Sequence, residues 1–169
     1  MSGNRGSRPR RAAVLLAALL GPALEMVVGP LALTGFELGD GPSAWPLRAA
    51  GVLLFAAGAL VVADSLLRFA RDGRGTLSPA APTRELVVSG AYRHVRNPMY
   101  LATAAVISGQ ALLIQQPVLL ALAAVYLAVT STLSRVREEP LLERRFGASY
   151  ARYRAAVPGW LPRLRARGG

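Results

Sequence analysis

The chain contains no cysteine, no lysine and a single histidine, and each shortage narrows what it can be. Without cysteine there is no disulfide, no thiolate metal ligand, no cysteine nucleophile and no iron–sulfur chemistry. One histidine among scattered carboxylates suggests no metal site. Charged residues are also scarce, at 17% against roughly 25% in soluble domains, while hydrophobic residues reach 53%. That balance points to lipid. All 20 basic residues are arginine and the formal charge is +11; in a chain rich in Ala, Leu and Gly this choice matches a GC-rich genome and carries no chemistry of its own. A length of 169 residues suits one domain.

Four apolar stretches approach the roughly 20 residues needed to cross a bilayer. They run from about Ala12 to Leu33, Pro46 to Phe69, Pro98 to Ile114 and Pro117 to Ser134. Each is expected to be a helix. The last two are short and separated only by the sequence IQQP, so they read as a tight helical hairpin, with a re-entrant pair as the alternative. Arginine placement sets the orientation, because short Arg-rich loops stay cytoplasmic. Arg5, Arg8, Arg10 and Arg11 precede the first stretch, and Arg68, Arg71, Arg74, Arg84, Arg93 and Arg96 lie between the second and third. All the others except Arg48 follow the fourth, whereas the first loop carries Glu37 and Asp40. The expected fold is an all-α integral membrane protein of about four transmembrane helices, with both termini cytoplasmic, in the inner (plasma) membrane of a bacterium.

Two other readings of the arginines are weaker. RPRR followed by AAVLLAALL resembles a signal peptide, but no small-x-small cleavage site follows and the apolar run resumes past Glu25, which favours an uncleaved anchor. A pI near 11.5 is also compatible with nucleic-acid binding. Such a protein sets its arginines on a soluble face with aromatics for stacking, whereas these flank apolar spans. Two carboxylates lie within or near the spans, where an ionisable group is costly. Asp64 has Arg68 one helical turn on; Glu25 has no partner visible in the sequence.

The stretch from Tyr92 to Val106 (YRHVRNPMYLATAAV) turns from basic to apolar in its middle. Pro98 suits the first position of a helix, where its missing N–H costs nothing, and Asn97 before it is a preferred N-cap residue. The third span therefore begins here, with its free N–H groups beside Arg96 and the Tyr100 hydroxyl in the first turn, an arrangement suited to an anion. Upstream, Ser89 and Gly90 form a tight turn that lets a ligand approach the backbone.

After span four comes a second polar segment, Arg135 to Tyr150. A hairpin returns its beginning to the same membrane face, so Glu138 and Glu139 are placed to face Arg96 and Asn97 across a cytoplasmic pocket. Pro140 forces a bend or a new helix start. Beyond it, Leu141, Leu142, Phe146, Tyr150 and Tyr153 have the spacing of an amphipathic interfacial helix, and Trp160 is an interfacial residue of the closing sequence VPGWLP. Two readings fit these residues equally: ordinary interfacial anchors with salt bridges, or a ligand site.

The residues also carry a resemblance. Gly90 to Leu101 (GAYRHVRNPMYL), Glu138 to Tyr153 (EEPLLERRFGASYARY) and Val157 to Pro162 (VPGWLP) resemble the isoprenylcysteine carboxyl methyltransferase family, which is related to the membrane phospholipid N-methyltransferases. The match covers Leu86 to Pro162, a cofactor-binding core preceded by variable spans over residues 1–85. It implies an integral-membrane enzyme that uses S-adenosylmethionine on the cytoplasmic side and a lipophilic methyl acceptor from the bilayer, without nucleic acid or metal. Carried onto this chain, it implies cofactor-binding roles for Arg96, Asn97, Pro98, Tyr100, Glu138 and Glu139; Gly90 and Tyr92 beside them are further cofactor-binding candidates, and His94 and Tyr100 are the candidate catalytic residues. Asn97 stands where many members have histidine; it cannot act as acid or base. Methyl transfer from a sulfonium tolerates that, because the reactive group is the cofactor's own and the protein supplies orientation and electrostatics.

Overall fold

The computed structural model describes residues 24–39, 45–71 and 86–163, and every regular element among them is helical. Arg5, Arg8, Arg10, Arg11, Asp40, Arg74 and Arg84, with the first half of the first apolar stretch, lie outside the described residues. Helix α1 is described over Leu24–Thr34. It is followed by α2 (Trp45–Arg71), α3 (Pro98–Ile114), α4 (Val118–Leu133), α5 (Glu139–Phe146) and α6 (Ala148–Ala156). A 3₁₀ turn at Gly90–Arg93 leads into α3, and a π-helical turn at Ser134–Glu138 joins α4 to α5.

Among the described residues, two helices are long and apolar enough to span a membrane: α2 over Trp45–Arg68, and the continuous run Val118–Phe146. The described part of α1 and the whole of α3 are shorter apolar helices. Large apolar side chains point outward from the two long ones, Leu53 and Leu60 on α2, Val125 and Val129 on α4. Such faces suit lipid rather than water.

In lipid, helices associate through close van der Waals packing rather than exclusion of water, so small residues mark their contacts. Gly51 and Gly58 on α2 and Gly109 on α3 do this here. A Cβ on Gly58 would lie 2.6 Å from the Ala102 carbonyl, and one on Gly109 would lie 2.6 Å from the Phe55 nitrogen. On its other side α3 packs Ala104, Ile107 and Ala111 against Leu119 and Ala123 of α4. The shortest of the expected spans is thus the central helix, and its position at the core fixes where its N-terminal residues stand.

The hairpin between α3 and α4 turns at Gln115, which adopts φ +57°, and restarts at Val118 after Pro117. At the opposite end, α4 does not stop where the apolar run stops. The Glu139 N–H reaches the Ser134 carbonyl across a widened π turn, and Pro140 then falls at the start of α5. Proline lacks the N–H that an unbroken helix would use here and its ring crowds the carbonyl four residues back, so the wider turn admits it without a break.

The expected single amphipathic helix over Leu141 to Tyr153 is corrected. Gly147, at φ +50°, divides it into α5 and α6. The break turns Tyr150 inward, where only 2% of it is exposed.

Candidate active site

The Asp64 carboxylate accepts from Arg68 Nε at 2.7 Å, the one-turn pair expected on α2. The Arg68 guanidinium lies over Gly90, where a Cβ would come within 2.1 Å of Nε, and Gly90 itself adopts φ +57°. The close neighbour that requires glycine in this turn is therefore an arginine of α2. Tyr92 is buried, and burial pushes its phenol well above the ordinary range. Its carbonyl accepts a hydrogen bond from the Tyr153 hydroxyl at 2.8 Å. Burial likewise raises Tyr153 and Tyr150, so all three phenols stay neutral donors.

Arg96 emerges from this turn with its backbone N–H on the Pro158 carbonyl (2.8 Å). Its Nη1 meets Glu139 Oε1 at 2.8 Å and donates to the Tyr150 hydroxyl at 3.3 Å. Both members of the ion pair are largely shielded, with side-chain exposures of 15% and 11%. Such a pair is held by geometry, and its attraction is little screened. Arg154 adds a longer contact to the other Glu139 oxygen at 3.6 Å from an exposed position.

Glu138, the next residue along, takes a different partner: it accepts the hydroxyl hydrogen bond of Tyr100, two residues into α3. Successive residues on a helix point about 100° apart, so adjacent carboxylates reach two separate groups. The sequence expectation that both face Arg96 and Asn97 is refined accordingly. Glu139 faces Arg96, and Glu138 faces Tyr100.

Asn97 precedes α3, with Pro98 in its first turn, yet its side chain makes no cap hydrogen bond. Its amide nitrogen donates to the Gly159 carbonyl at 3.1 Å, and its oxygen accepts from Ser134 at 3.2 Å. Asn97 therefore holds the expected N-cap position, but its side chain is used elsewhere, tying α3 to the C-terminal segment and to the π turn. His94 is tied to the same segment. Its Nδ1 lies 2.7 Å from the Arg163 carbonyl, which can only accept, so Nδ1 carries the proton. The Arg163 N–H returns a bond to the His94 carbonyl at 3.1 Å.

These contacts lay Val157 to Arg163 across the start of α3 as a strap. Its Trp160 stacks on Tyr100, with ring centroids 6.2 Å apart and planes 15° from parallel. The sequence alone reads Trp160 as an interfacial residue, whereas the structure stacks it on Tyr100. Pro158 and Gly159 were the available sign that the tail folds back. Tyr126 of α4 meets the Tyr100 ring nearly edge-on, with centroids at 6.3 Å.

The assembled groups are one guanidinium, two carboxylates, a phenol and an indole, drawn from the segment before α3, α3 itself, the π turn, α5 and the strap. No group of metal-ligating side chains occurs among the described residues. The family pattern described as phospholipid methyltransferase matches residues 47–149, from α2 to the beginning of α6. No curated protein matches the chain at a significant level. With well over half its length matched, and with membrane-length helices around the cluster, the chain belongs to the phospholipid methyltransferase family and is a membrane methyltransferase.

Proposed function

We propose that the protein binds S-adenosylmethionine at this cluster on the cytoplasmic side and methylates a lipophilic acceptor that arrives from the bilayer. In this reading α1 to α4 are four crossings and both termini are cytoplasmic. The observation that carries it is the convergence of Arg96, Glu139, Tyr100 and Glu138 beneath Trp160.

The donor set fits the cofactor. Its amino-acid end carries a carboxylate and an ammonium, and Arg96 and Glu139 offer the complementary charges; at present they satisfy each other. Arg96, beside the N-terminus of α3, would hold the carboxylate, and one of Glu138 and Glu139 the ammonium or the ribose hydroxyls. Tyr100 would orient the cofactor, with its ring and that of Trp160 presenting faces to a cation. When bound, S-adenosylmethionine supplies an electrophilic methyl whose reactivity is its own. The protein's residues bind, align and exclude water. Gly90, Tyr92 and Pro98 set the backbone that delivers Arg96, and His94 anchors the strap. An isoprenylcysteine-type carboxylate acceptor needs no base; a lipid amine acceptor has to be neutral when it attacks.

The test is S-adenosylmethionine binding by the detergent-purified chain, with Glu138→Gln and Glu139→Gln alongside, followed by labelled-methyl transfer into a total lipid extract. We expect saturable binding that one of the two variants weakens by about tenfold or more, in line with loss of a charge-assisted hydrogen bond, which identifies the carboxylate that holds the cofactor. Absence of binding in a demonstrably folded sample defeats the reading.

A further inference from the structure

The helix that begins at Val118 runs on to Phe146, well past the end of its apolar part. A hydrocarbon layer about 30 Å thick is crossed by about 20 residues rising 1.5 Å each, which brings this helix to Arg137. The end of the π turn and α5 therefore stand at the depth of the lipid headgroups and just beyond it. One exposed stripe can be followed through that depth, because Val125, Val129, Leu133, Arg137, Leu141 and Arg145 recur at every fourth position, with Val136 and Arg144 beside the last of them. The wider π turn takes up an extra residue, so the stripe continues along the same side instead of drifting round the helix. Glu139, on the other side, is buried.

Charge along this segment is one-sided. From Ser134 to Arg163 there are seven arginines and three glutamates. Glu139 is taken by Arg96 and Glu138 by Tyr100, and Glu143 lies 3.7 Å from Arg154. Among the described residues no carboxylate pairs with Arg137, Arg144 or Arg145. Arg145 lies 5.6 Å over the Phe146 ring, a contact that leaves its charge uncompensated.

We infer that Arg137, Arg144 and Arg145 form a ridge that binds the headgroups of anionic phospholipids in the adjoining leaflet. Guanidinium groups match phosphate in geometry and charge. Val136 and Leu141, 68% and 62% exposed, lie between them where the upper part of an acyl chain meets the helix. A zwitterionic headgroup offers the same phosphate, but its own ammonium is repelled by the arginines, so the ridge favours a lipid of net negative charge. Continuity with the lipid-facing stripe of α4 favours a lipid over a soluble acidic partner. None of these arginines belongs to the Arg96–Glu139 cluster, and the inference does not depend on what that cluster binds.

The test offers the full-length, delipidated protein in detergent an equimolar mixture of dioleoyl phosphatidylglycerol and dioleoyl phosphatidylcholine, and counts the lipids retained by native mass spectrometry. The wild type should favour phosphatidylglycerol by about tenfold or more, since each arginine near an anionic surface is worth about fivefold in affinity. The preference should fall as ionic strength rises. Arg137→Gln combined with Arg144→Gln should remove most of it. Arg48→Gln combined with Arg152→Gln takes the same charge from the far end of α2 and from α6, and should leave the preference in place. Melting in lipid-free detergent reports that both double variants are folded. Equal retention of the two lipids by the wild type, or an equal loss of preference in both double variants, overturns the ridge as a lipid site. Displacement of the lipid by soluble glycerol phosphate at similar concentration would make it a site for a free anion and overturn the assignment as well.

Discussion

At one end of the α3–α4 hairpin the chain is closed mainly by its own backbone, and at the other by side chains brought together from distant parts of the sequence. The turn end uses Gln115 in a left-handed conformation, with its N–H on the Ala111 carbonyl, and the Gln116 N–H bonds to the same carbonyl at 3.0 Å. The α1–α2 connection joins it through the Gly39 N–H on the Ile114 carbonyl at 2.8 Å. The charged end instead joins Tyr100 to Glu138 and Asn97 to Gly159, across sequence separations of 38 and 62 residues. Backbone closure satisfies polar groups that any hairpin exposes. Gathering an arginine, two carboxylates and two aromatic rings at one place exceeds what closure requires, and that excess marks the functional end.

The comparison breaks most visibly at Glu139. Glu139→Ala leaves the Arg96 guanidinium shielded and without its main carboxylate, a change that costs about 3–5 kcal/mol in buried pairs. Thermal unfolding in detergent should shift down accordingly, and cofactor binding should be lost. Replacing both partners, Arg96→Met with Glu139→Leu, should recover much of the stability, because no charge is then stranded. Binding should not return with it. A double variant that still bound the cofactor would make this pair a structural device only.

Tyr100→Phe comes next. It removes the hydroxyl that serves Glu138, and a hydrogen bond to a charged group is worth about 1.5–3 kcal/mol. Methyl transfer should fall by about tenfold or more while the helical circular dichroism stays unchanged. A cycle with Glu138→Gln should show the two losses to be non-additive, as expected for groups in contact.

How much of this was legible depended on the range of each interaction. The bounds of α3 matched the sequence reading, because a proline at the helix start and an abrupt change from basic to apolar residues are local signals. The Asp64–Arg68 pair was readable for the same reason, one helical turn being short range. The partner of Glu25 was not, since Tyr126 lies 101 residues away on a helix whose azimuth no local pattern fixes. Tyr150 and Tyr153 have helical spacing with Leu141 and Leu142, and periodicity alone continues one helix through all four. Gly147 breaks it with a positive φ and re-aims the tyrosines. Asn97 followed by proline has the local form of a cap, yet its amide finds a carbonyl in the strap instead. At the site, the residue types were visible and the pairing was not. Which of two adjacent carboxylates faces Arg96 depends on the π turn before them, and one residue of slippage there would exchange their partners.

Smaller effects sharpen the contrast between the two ends. Trp160→Ala removes the ring stacked on Tyr100, worth about 0.5–1.5 kcal/mol beyond its buried area. It should lower the melting temperature and weaken cofactor binding severalfold. Gln116→Ala is its counterpart at the turn. Its amide donates to the Glu37 carbonyl at 3.2 Å in an exposed position, and loss of such a bond costs at most about 1 kcal/mol. The two substitutions should therefore separate in binding, with Trp160→Ala lowering both stability and cofactor affinity and Gln116→Ala leaving binding untouched. Equal effects of both on cofactor affinity would mean that the ends communicate through α3, and the division into a closed end and a working end would have to be abandoned.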